Sequence, residues 1–64
     1  MIGKLMGISG KNITFFDEVG RKITLKVAKE NLPLLDRAIE NTGMNFNVTT
    51  LEGEIVDLKV ITSA

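Results

Sequence analysis

A single run of helical spacing, Leu32, Leu35 and Ile39, interrupts a chain whose other apolar residues largely alternate with period two. Period two places apolar side chains on one face of a strand, whereas recurrence every three or four residues builds the apolar stripe of a helix. The chain therefore has to combine several short strands with one helix within 64 residues. The clearest strand is Lys22 to Val27, where Ile23, Leu25 and Val27 alternate with Lys22, Thr24 and Lys26. Ahead of it, Ile2 to Ile8 reads as a strand carrying Gly3 and Gly7. Glycines inside a strand mark a bend, a bulge or the close approach of another backbone. Ser9-Gly10-Lys11-Asn12 supplies turn chemistry, Ile13 to Asp17 a second strand, and Asp17-Glu18-Val19-Gly20 another turn.

The helix is expected over about three turns, roughly Leu32 to Thr42, with Leu34 and Ala38 widening its apolar stripe. Asn31 is placed to cap it, Pro33 falls in the first turn where its missing N–H costs little, and Gly43 is placed to stop it. Strand character then returns. Met44, Phe46 and Val48 alternate with Asn45, Asn47 and Thr49, Leu51-Glu52-Gly53-Glu54 forms a turn, and Ile55 to Thr62 makes a fifth strand. Its residues Val56, Leu58 and Val60 share one face, which puts Ile55 and Ile61 on the other.

The resulting order, β-β-β-α-β-β, is that of a mostly β, single-domain, five-stranded OB-like barrel spanning residues 1–64, with the helix plugging one end. The first strand of such a barrel has to curve enough to pair in both halves of the sheet. An SH3-like or Sm-like barrel and a meander-plus-helix α+β fold are the alternatives. Sm-type chains place their helix before the strands, unlike this one.

Met1-Ile2-Gly3-Lys4-Leu5 with Gly7, followed by Glu18-Val19-Gly20 in the second turn, resembles the N-terminal OB domain of the RuvA family of Holliday-junction branch-migration proteins. That resemblance implies the barrel fold and assembly into a four-fold ring. It also implies acidic residues in a late hairpin near the junction centre, where Glu52 and Glu54 stand in this sequence. The helix-hairpin-helix modules that grip DNA phosphates in that family are not among these residues.

The chain has no Cys and no His, which excludes disulfide staples, thiol nucleophiles, imidazole acid–base chemistry and structural zinc. No pairing of carboxylates, lysines or hydroxyls stands out as catalytic, so a non-enzymatic protein without metal or cofactor is expected. Eight Lys plus Arg balance eight Asp plus Glu. A neutral chain lacks the broad positive field that drives non-specific nucleic-acid binding. No apolar run approaches the roughly 18–20 residues of a membrane helix, and the start lacks a signal-peptide pattern, so a cytoplasmic protein is expected. Glu52 and Glu54, like Asp17 and Glu18, read as solvated turn carboxylates. Gly7, Gly10 and Gly20 match neither a P-loop nor a GxGxxG pattern.

Two binding functions remain. A chain this short buries only about 60% of the surface its unfolded form exposes, which favours association with itself or with another protein. Phe16, Leu34, Ile55 and Ile61 are the apolar side chains left over for that interface. The alternative is single-stranded nucleic acid, with Phe16 stacking on bases among Lys4, Lys22 and Lys26.

Overall fold

The computed structural model describes residues 1–62. It contains β1 (Ile2–Ser9), β2 (Asn12–Phe16), β3 (Lys22–Val27), a 3-10 turn (Lys29–Asn31), α1 (Leu34–Glu40), β4 (Asn45–Leu51) and β5 (Glu54–Val60). The strands close into a barrel in the order β1-β2-β3-β5-β4, with β1 completing the circle against β4. All neighbours are antiparallel except β3 and β5, which run parallel and pair only at Lys26–Glu54 and Val27–Ile55. This is the five-stranded barrel with one helix between its third and fourth strands that the order of apolar patterns predicts.

β1 does the closing. Its first half pairs with β4 from Ile2 to Lys4, and its second half pairs with β2 through Ser9. The register slips between Leu5 and Gly7, so Met6 is an extra residue that bends the strand. Leu5 sits at the bend, donating its N–H to the Met44 carbonyl at 3.0 Å and accepting from the Gly43 N–H at 2.9 Å. Gly3 fills the close-approach role expected of it. A Cβ there would lie 2.9 Å from Met1 Cε and 3.0 Å from Phe15 Cβ.

The core consists of Leu5, Ile13, Phe15, Val27, Ala38, Phe46, Val48, Ile55 and Leu58. Ile55 corrects the sequence expectation, for it is fully buried rather than on the outer face. The cause is a second register slip. Thr49 opposes Asp57 while Thr50 opposes Ile55, so Val56 is bulged out and the inward phase of β5 resets. Ile55 and Leu58, three apart, thus both point inward.

The helix is shorter than expected. Pro33 has no N–H to donate into an α-type ladder, and the chain ahead of α1 closes i to i+3 bonds instead: Asn31 to Ala28, Leu35 to Leu32 and Asp36 to Pro33. Asn31 belongs to the 3-10 turn and makes no side-chain cap. Seven residues of helix present Leu34, Leu35 and Ala38 to the barrel, while Ile39 falls outside that contact at 61% exposure. Leu34 therefore packs against the core, which corrects its assignment as a surface residue left for a partner.

Candidate functional site

The outer face of the barrel gathers residues that the sequence keeps far apart. Lys22 lies opposite Phe16, Phe16 opposite Lys4, and Lys4 opposite Asn45. Ile61 joins the same row by donating its N–H to the Asn45 carbonyl at 2.8 Å. Side chains of directly opposed residues share a face, so this row runs Lys22–Phe16–Lys4–Asn45–Ile61 across four strands. Phe16 and Ile61 are 37% and 38% exposed. Lys26 is on the same face of β3 but two positions beyond Thr24, opposite Asn12. Of the four residues proposed from sequence as an interface, Phe16 and Ile61 are thus on the surface, Leu34 is half-buried against the core, and Ile55 is fully buried.

The sequence reading missed the residues that join Phe16 to a concavity. A depression of about 220 Å³ is lined by Ile2, Lys4, Phe16, Asp17, Glu18 and Asn45, with Gly3 as its floor. A second, of about 390 Å³, shares Ile2, Asp17 and Glu18 and extends to Met1, Val19, Arg21 and Ile23. Together they form a shallow groove with apolar walls and a charged rim. Ile2 is in phase with Lys4 on the outside of β1, a signal present in the alternation of the first strand. Val19 had none, because it belongs to a turn.

The rim is held by Asp17. Its Oδ1 accepts the Arg21 N–H at 2.8 Å and the Val19 N–H at 3.1 Å, and its Oδ2 accepts the Arg21 Nε at 3.0 Å. The backbone hydrogen bond from Arg21 is the main cause holding this carboxyl below its ordinary value, aided by the Arg21 guanidinium and the Val19 N–H against a smaller effect of desolvation. A carboxyl depressed in the folded state contributes stability at pH above its unfolded value, and that contribution is lost as pH falls through the folded value. The Asp17→Asn variant should therefore lose part of the wild-type drop in Tm as pH is lowered from about 5 to 2. Parallel acid limbs in the two proteins would show that the turn does not draw stability from this charge.

Glu52 and Glu54 flank Gly53 in the β4–β5 turn. Glu54 opposes Lys26 across the parallel β3–β5 pair, and Glu52 has a positive φ of 53°. Among the described residues no three acidic groups cluster as a metal ion requires, and no polar or charged side chain is buried. No helix is long and apolar enough to cross a membrane. No family model matches the chain, nor does any curated protein or solved structure, so the meaning of this surface has to come from its own geometry.

Proposed function

We infer that the chain is a non-enzymatic interaction module that binds a protein partner, its own copy included, through the groove between β1 and the β2–β3 turn. The observation that carries this reading is the exposure of Ile2 and Phe16, at 43% and 37%, in a concavity bordered by Lys4, Asp17, Glu18 and Arg21. An apolar centre inside a charged rim is the anatomy of protein interfaces, where a few central side chains dominate affinity. Mixed signs on the rim suit a protein better than a polyanion. The RuvA-like opening strand is consistent with self-assembly as the form this takes.

Light scattering across a concentration series, up to about 1 mM, provides the test. The wild-type mass should rise above that of a 7.0 kDa monomer, and Phe16→Ala should weaken association at least tenfold while leaving the circular dichroism spectrum unchanged. A strict monomer at the highest concentration would remove self-association and leave a different protein as the partner. Association unchanged in Phe16→Ala would remove the groove.

The alignment of Lys22, Phe16 and Lys4 in one cross-strand row favours a second reading, single-stranded nucleic acid stacked on Phe16. Base–aromatic stacking contributes about 1–3 kcal/mol per base, so Phe16→Ala would lower oligonucleotide affinity about 5- to 150-fold, and binding would fall steeply with salt. Lys26 would extend the track along β3.

A further inference from the structure

The barrel closes between β3 and β5 over two residue pairs only, which leaves β3 unpaired ahead of Lys26 and β5 unpaired after Ile55, at opposite ends of that parallel closure. The two edges are treated differently. On β5, Ile61 bonds to Asn45 of β4, so by the antiparallel alternation Leu58 turns its backbone groups away from β4. Both are satisfied. Arg37 of α1 donates to the Leu58 carbonyl at 2.7 Å, and the Leu58 N–H donates to Asp57 Oδ1 at 2.9 Å. The β5 edge is thus capped by side chains at Leu58.

On β3 the alternation is set by the Val27 N–H donating to the Lys11 carbonyl and the Asp17 N–H donating to the Arg21 carbonyl. The odd-numbered residues of β3 therefore face β2, and Lys22, Thr24 and Lys26 turn their backbone groups outward. A hydroxyl contact of 3.1 Å between Thr14 and Thr24 agrees with their being a pair that does not exchange backbone bonds. Lys26 is taken up by β5, but Lys22 and Thr24 have no partner strand on that side and no other backbone bond among the described residues. Their two N–H and two C=O groups form an open strand edge, with no side chain capping it as Arg37 and Asp57 cap Leu58.

We propose that this edge of β3 accepts an extended peptide whose residues alternate between acidic and apolar, by addition of a strand to the barrel. Side chains of an added strand keep the alternation of the strand they join. On the outer face they meet Lys22 and Thr24, with Lys26 only diagonal to them because β5 already lies beside it; Lys22 forms no ion pair with a described residue and is the anchor for a carboxylate. On the other face they meet Ile23 and Leu25, which are only half-buried and leave apolar surface for a neighbour. A second copy of β3 is a poor occupant. Antiparallel pairing of the strand with itself about Ile23 or Thr24 sets four lysines opposite or diagonal to one another on one face, and like charges so placed destabilise a sheet. The lysines thus guard the edge against its own copy while favouring an acidic strand.

The test is a titration of the full chain with an acetylated, amidated octapeptide of alternating Glu and Val, followed by ¹H–¹⁵N spectra. The amide signals of Lys22 and Thr24 should shift most and become protected from hydrogen exchange. The same peptide N-methylated on one alternate set of residues or the other removes donors without altering charge, and at least one of the two should lose binding. The Lys22→Glu, Lys26→Glu double variant should weaken the Glu–Val peptide at least tenfold and gain an alternating Lys–Val peptide instead. Undiminished binding of both N-methylated peptides, shifts centred on Ile2 and Phe16, or no shift at millimolar peptide would each overturn the proposal. The edge shares Ile23 with the groove, but the amide signals of Lys22 and Thr24 report the β3 edge and light scattering reports the groove, so either can fail alone.

Discussion

Replacing Ile55 by Ala should destabilise the chain by about 2–5 kcal/mol, whereas the same change at Ile61 should cost no more than about 0.5 kcal/mol. The two residues are alike in chemistry, and the alternation of the last strand puts them on the same face. The structure separates them. Ile55 has no exposed surface and pairs beside Val27 at the parallel closure, while Ile61 is 38% exposed at the far end of the strand. A 64-residue domain holds only about 3–10 kcal/mol in total, so Ile55→Ala spends much of its stability and can leave the chain largely unfolded at 37 °C. Ile55→Val, expected to cost about 0.5–1.5 kcal/mol, keeps the comparison measurable by urea unfolding. Equal losses at Ile55 and Ile61 would mean that the Val56 bulge does not exist in solution.

The second large effect is at Gly3. An added methyl group would meet Met1 Cε, the far end of a flexible side chain that can swing away, and Phe15 Cβ, which cannot. Phe15 is wholly buried and fixed next to its own backbone, so room has to come from shifting β1 against β2. Overpacking of this kind costs about 1–3 kcal/mol, and each kcal/mol moves the Tm of so small a domain by about 4–8 °C. Gly3→Ala should therefore lower Tm by several degrees at least. Gly7→Ala is the control, since nothing lies within 4 Å of a Cβ there and the backbone is outside the left-handed region. It should be neutral or stabilising by up to about 1 kcal/mol, because alanine loses less backbone entropy than glycine on folding. A Gly3→Ala protein as stable as wild type would mean that β1 does not approach Phe15 this closely.

Element order was legible because its signals are local. The alternation of Ile23, Leu25 and Val27, the helical spacing of Leu32, Leu35 and Ile39, and turn residues such as Glu52-Gly53 each act within a few positions. Phe15 and Phe46 inside, with Phe16 outside between Lys4 and Lys22, also follow from period two once neighbouring strands are paired. The helix boundary was misjudged because spacing alone does not register that Pro33 blocks an α-type bond, leaving a 3-10 turn before a seven-residue helix. The groove was half legible. Phe16 and Lys4 could be placed on one face, but Met1, Ile2 and Val19 become its walls only when the barrel brings the start of β1 beside the β2–β3 turn.

By itself, then, the sequence determined five strands, one helix, their order, and the face on which most apolar residues of each strand lie. Tertiary structure alone decided where the phase breaks, which strand edges remain open, and which surface residues meet. The physical reason is that side-chain alternation is a property of one strand, whereas a bulge is a mismatch between two. Met6 and Val56 are extra residues only relative to β2 and β4, and the closure that creates them also buries Ile55, caps Leu58 with Arg37, and leaves Lys22 and Thr24 facing open space.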